Sequence, residues 1–132
     1  MRHKRVAKKF GRSMSHREQL LRMMVANLIM ADNIQTTVQK AKETRKEAEK
    51  MVTIARKGTL SARRMAAAYL RSVEAVQKLF DKIVPAMEGR PGGYTRMTKI
   101  GTRKGDAAEM VVLEWVAKTV VAPVAVEEAP KA

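Results

Sequence analysis

The sequence predicts an α+β fold, with about four helices packed on a small sheet that includes a C-terminal β-hairpin. A basic N-terminal arm and a disordered C-terminal tail flank it. Three observations point there. Between residues 15 and 85, apolar side chains recur at helical spacing in stretches separated by capping and stop residues. Between 94 and 116, two extended runs flank a turn containing Gly and Asp. At both ends the periodicity vanishes, into charge at the front and an Ala/Val/Pro/Glu mixture at the back. At 132 residues the chain suits one domain with short extensions: an arm over 1–14, a single α+β domain over 15–118 and a low-complexity tail over 119–132.

The elements follow in order. Ser15-His16-Arg17-Glu18 reads as a capping box, and Leu20, Leu21, Met24, Val25 and Leu28 then place one apolar face on a helix ending near Ala31. Asp32-Asn33 stops it. Ile34 to Val38 alternates and is β-branched, which suits a short strand. A second helix is predicted over Lys40 to Lys57, with Ala41, Ala48, Met51, Val52 and Ala55 on its buried side and Gly58 past its end. Ser61 can cap a third, Ala-rich helix through Leu70. Ser72 can cap a fourth, with Val73, Val76, Leu79, Phe80 and Ile83 on one side and Pro85 as the stop. Tyr94 to Ile100 and Glu109 to Val116 are predicted strands, and Gly101 to Asp106 supplies the turn, with Asp106 as its Asx-type residue.

Composition removes several function classes. With no cysteine there is no disulfide scaffold, thiol nucleophile or thiolate metal site. No apolar run approaches the roughly 18 to 20 residues that span a bilayer, and the charged opening has no signal-peptide core. A soluble, cytoplasmic protein is the expectation.

Charge is more informative. The net charge is +14, from 27 basic and 13 acidic residues, and such a field calls for a polyanionic partner. Residues 1–17 carry seven basic side chains and no acid, and the glycine-rich stretch 89–105 carries five more, again with no acid. The remaining chain sums to only +2. Both segments are poor in core-forming residues, so they are expected to order against nucleic acid. The candidate contacts from charge are Arg2, Lys4, Arg5, Lys8, Lys9, Arg12 and Arg17 in the arm, with Arg96, Lys99, Arg103 and Lys104 in the loop and hairpin. Tyr94, beside Arg96, is placed to stack on a base.

Reactive groups do not converge. His3 and His16 lie in or beside the arm without carboxylates that would complete a metal site, and imidazole among arginines suits nucleic-acid contact better. Gly89-Arg90-Pro91-Gly92-Gly93 lacks the spacing of a phosphate-cradling loop and precedes an extended segment instead of a helix. The carboxylates mostly alternate with Lys and Arg along the second helix, as surface pairs do. Met23, Met24, Met51 and Met65 are expected core filler, as is Trp115. No enzymatic activity, metal, cofactor or small-molecule substrate is expected.

Several motifs, in one order along residues 1 to 118, resemble the bacterial large-subunit ribosomal protein L17 family. They begin with Met1-Arg2-His3, Arg12 and Ser15-His16-Arg17, then Thr36-Thr37 followed by Lys40-Ala41-Lys42-Glu43 and Arg45. Lys78-Leu79-Phe80, Gly92-Gly93-Tyr94-Thr95-Arg96, and Gly101, Arg103 and Gly105-Asp106-Ala107 complete the set. The stretch Val6 to Phe10 departs from the family's usual arm. The resemblance implies a non-enzymatic structural component of the large ribosomal subunit, toward the rim of the peptide exit tunnel. Its partners would be large-subunit ribosomal RNA and neighbouring ribosomal proteins. By motif match, the RNA-facing set would be Arg2, His3, Lys4, Arg12, Ser13, His16, Arg17, Tyr94, Arg96 and Arg103. The rival functions are a small basic DNA-binding architectural protein, which would bind generic duplex, and a membrane-surface protein, which would need a basic amphipathic helix that the arm lacks.

Overall fold

The computed structural model describes residues 9–117. Arg2, His3, Lys4, Arg5, Lys8 and the 119–132 tail lie outside them. Helix α1 spans Met14–Ala31 and is capped by Ser13, whose Oγ accepts from the His16 amide at 3.4 Å. The cap is thus two residues ahead of the predicted Ser15, and no capping box forms because His16, not Glu18, occupies the third helical position. The earlier start adds a backbone hydrogen bond from Arg17 N to Ser13 O at 2.9 Å. The same correction applies to α3, Leu60–Leu70, where Thr59 accepts from Ala62 N at 3.1 Å and Ser61 sits inside the first turn. Asp32, in the left-handed region at φ 70°, ends α1.

Strand β1 covers Asn33–Thr37 and α2 covers Val38–Ala55, so Val38 opens the helix instead of closing the strand. All five predicted buried positions of α2 are buried, and Thr44 joins them, its hydroxyl donating to Met24 Sδ at 3.5 Å. The opposite face pairs Lys46 with Glu43, Lys50 with Glu47 and Arg45 with Glu49.

The fourth helical stretch is continuous but not uniform. α4 (Val73–Lys78) passes into a π-helical turn over Leu79–Ile83 and then into α5, Val84–Ala86. Pro85, expected to stop the helix, lies inside it. The wide turn shifts hydrogen bonding so that Val84 N reaches Leu79 O, just before a proline nitrogen that has no proton to donate. The shift also turns Leu79, Ile83 and Met87 fully into the core. Val73, expected on the buried side, follows the Ser72 cap at once and is 74% exposed, while Ala75 and Val76 bury in its place.

Strands β2 (Thr95–Thr102) and β3 (Glu109–Trp115) form the predicted hairpin. The sheet is antiparallel in the order β1-β3-β2, so β3 is central, with Ile34 opposite Leu113 and Met97 opposite Leu113 from the other side. Val111, Leu113 and Trp115 alternate inward onto the helices. Trp115 Nε1 donates to Leu28 O at 3.2 Å, tying β3 to α1. The core thus lies between the sheet and α1, α2 and the α4–α5 stretch, each large aliphatic group contributing roughly 1.5–3 kcal/mol. Of the four methionines expected there, Met51 is buried and Met24 half-buried, but Met23 and Met65 are 65% and 54% exposed because they fall between the core-facing stripes of α1 and α3.

Candidate nucleic-acid interface

Two basic regions are built in different ways. In the described part of the first, Phe10 and Gly11 adopt positive φ and turn the chain into α1, closed by Arg12 N donating to Lys9 O at 3.1 Å. Arg12 is half-buried, and its Nη1 donates to Phe10 O at 3.0 Å. Lys9 and His16 are exposed and Arg17 is half-buried. Among the described residues, none of these side chains forms an ion pair with a carboxylate. Ser13 is occupied as the helix cap, its Oγ already accepting one hydrogen bond.

The second region is rooted in the core and bare at its tip. At the root, Thr95 is buried and donates through Oγ1 to Glu49 Oε1 of α2 at 3.0 Å. Tyr94 is buried too, at 3% exposure, which corrects its expected role: a ring packed in the core has no face to offer a base. Its hydroxyl accepts from Arg56 Nη1 at 2.6 Å, and the Arg56 guanidinium also bonds the Arg90 carbonyl, clamping the glycine-rich loop against the end of α2. Sequence reasoning misses Arg56 as a positioning residue because its partners lie 34 and 38 positions further along the chain.

Beyond Lys99 the hairpin leaves the core. A bulge between Lys99 and Gly101, with Gly101 at φ 117°, re-aims the strand, and residues 98–107 are all exposed. The tip closes with Arg103 N donating to Ala108 O at 2.8 Å. Asp106 is the Asx-turn residue expected, its Oδ1 accepting from Ala108 N at 3.2 Å. It also takes two hydrogen bonds from the Arg103 guanidinium, at 3.1 and 2.6 Å. The Arg103 bonds, with the Ala108 amide second, hold the Asp106 carboxyl down at about 2. Arg96 pairs likewise with Glu114 across the strands at 3.0 Å. Of the four predicted cations here, Lys99 and Lys104 are exposed without a carboxylate partner among the described residues, while Arg96 and Arg103 are half-neutralised by theirs.

Among the described residues, no three His, Asp or Glu side chains gather in a way that holds a metal ion, and no helix is long and apolar enough to cross a membrane. What the two regions can do chemically is present cations to an extended anion.

Residues 20–116 match the family model described as ribosomal protein L17. The chain is 48% identical over 116 residues to the large ribosomal subunit protein bL17 of Fusobacterium nucleatum, an alignment covering 88% of this chain and all of that protein. It is 50% identical over 109 residues to the protein of the same name from Alkaliphilus metalliredigens, covering 83% and 96% respectively. With the bL17 protein of Azorhizobium caulinodans it shares 46% over 129 residues, 98% of this chain and 93% of that one. The chain belongs to the ribosomal protein L17 family.

Proposed function

We propose that this protein is a structural constituent of the large ribosomal subunit in the bacterial cytoplasm, bound to large-subunit ribosomal RNA. Its contacts are the basic arm (Arg2, His3, Lys4, Arg5, Lys8, Lys9, Arg12, Ser13, His16 and Arg17) and the exposed part of the loop and hairpin (Arg96, Lys99, Arg103 and Lys104). Its place is toward the rim of the peptide exit tunnel, beside neighbouring ribosomal proteins. The observation that carries this function is the segregation of charge into two acid-free segments, one of which projects from the fold as a bare hairpin. Folded RNA is irregular, and narrow basic extensions enter where a globular body does not fit; lysines and arginines there neutralise phosphates and release counterions.

Sucrose-gradient fractionation of a cell lysate, repeated in high salt, is the direct test. Co-sedimentation with the large subunit that survives the salt wash is the expected result. A chain that stays at the top of the gradient, or follows chromosomal DNA, overturns it.

A further inference from the structure

The helical body looks neutral in sum, but its charge is not evenly spread. Residues 51–73 carry five cationic side chains, Arg56, Lys57, Arg63, Arg64 and Arg71, and no acid. Helix α3 supplies Arg63 and Arg64 and is closed by Arg71, and it contains no carboxylate. Where α2 answers its cations with Glu43, Glu47 and Glu49, no ion pair reaches Arg63, Arg64 or Arg71 among the described residues.

These groups converge. Arg64 and Arg71 are two helical turns apart and so share a side of α3. Arg63 and Arg71 line one shallow groove at the α3–α4 junction, and Arg71 and Arg22 line a second between α1 and α3. Two of the guanidiniums lie on the protein's own rings, Arg63 at 4.5 Å from the Phe80 centroid and Arg22 at 5.1 Å from that of Tyr69. Stacking on one face restricts the plane while leaving N–H edges for an outside acceptor, so less side-chain entropy is lost when a phosphate arrives. Between the arginines the grooves are apolar, which suits the face of an unstacked base.

We propose that this arginine face of α3, Arg63, Arg64 and Arg71 with Arg22 across the groove, is a second RNA-binding surface, separate from the arm and the hairpin. It rests on the RNA-binding function proposed above. An RNA fits better than a protein neighbour because the three α3 arginines stand without a carboxylate partner among the described residues, Glu18 and Glu47 lying on the far side of Arg22, whereas protein interfaces generally set both signs against each other to fix their register.

The test compares two variants of the full chain on a transcript of bacterial large-subunit ribosomal RNA, with affinity measured across salt concentration. R63Q/R64Q/R71Q removes the face, and K4Q/R5Q/K8Q/K9Q removes arm charge. The face variant is expected to melt within a few degrees of the parent. Its salt slope should flatten by about 0.7 to 0.9 for each phosphate left without its cation, adding to the flattening in the arm variant. R63K/R64K/R71K should restore the slope but only part of the affinity, because lysine keeps the charge and gives up the stacked plane. If the face variant unfolds, R64Q/R71Q, which spares both stacked guanidiniums, asks the same question. An unchanged slope in the face variant beside a reduced one in the arm variant overturns the α3 surface alone. Unchanged slopes in both overturn the RNA-binding function with it. A face variant that keeps full RNA affinity but no longer joins the large subunit marks a protein-docking face, and that too overturns the proposal.

Discussion

The hairpin and helix α3 are both rich in arginine, yet they manage charge in opposite ways. In the hairpin, Arg96 and Arg103 each meet a carboxylate of the same hairpin, Glu114 and Asp106. In α3 no carboxylate answers Arg63, Arg64 or Arg71 among the described residues, and Phe80 supports Arg63 by its ring instead. Net charge along a window of sequence therefore misleads in both directions. The acid-free stretch 89–105 has two of its three arginines, Arg96 and Arg103, answered by Glu114 and Asp106 from beyond its end, while the helical body hides an acid-free stretch inside an average. Arginine bound to a carboxylate shapes the protein, and arginine left open is available to a partner.

Three measurements test that contrast. The largest effect is expected at the hairpin root. Tyr94→Ala removes a buried ring and should cost about 3–5 kcal/mol in denaturant unfolding, whereas Tyr94→Phe, which removes only the hydroxyl's bonds with Arg56 and the Arg90 carbonyl, should cost about 1 kcal/mol. If Tyr94→Ala instead left stability intact and weakened RNA binding, the ring would be a stacking platform and its assignment to the core wrong. Next in size is the division of labour at the tip. Replacing Lys99 and Lys104 by glutamine should flatten the salt slope of RNA binding by about 0.7 to 0.9 per lysine that meets a phosphate, and replacing Arg96 and Arg103 should flatten it less. Equal flattening would mean that the two carboxylates release their arginines to the RNA.

The smallest effect concerns pH. The folded Asp106 carboxyl titrates at about 2, below its ordinary 3.8, so the tip's stabilisation by this group is complete above pH 4 and is lost as the pH falls toward 2. The Ala108 amide resonance should follow a midpoint near 2, and Asp106→Asn should abolish that titration. A midpoint near 3.8 would show that the Arg103 pair does not persist in solution.

Most of the architecture is legible in the sequence because each element carries its own signal. The buried face of α2 and the alternation of Val111, Leu113 and Trp115 are periodicities that local reading captures. The errors fall where two local options compete or a distant partner decides. Ser13 and Ser15, or Thr59 and Ser61, are equally good caps in isolation, and the extra backbone bonds of the longer helix favour the earlier one. Pro85 is tolerated because a π turn precedes it, which no composition announces. Tyr94 sits among glycines and arginines in sequence, where it reads as solvent-facing, but Arg56, from the end of α2, fixes it inside. The same blindness to distance conceals the α3 arginines, whose grooves are completed by α1 and α4.

The central position of β3 has a temporal consequence. Asn33 pairs with Glu114 and Thr95 with Trp115, so both outer strands wait for a segment that leaves the ribosome after them. Until residues 109–115 are available, the helices can form and touch, but β1 and β2 have no partner and Leu28 lacks the indole that caps its carbonyl. A pairing as distant in the chain as that of β1 with β3 closes slowly, because loop entropy is lost before contacts return it. Maturation should therefore end in one late cooperative step that forms the sheet and shuts the core, and truncation before Glu109 should leave a helical, sheetless intermediate open to proteolysis.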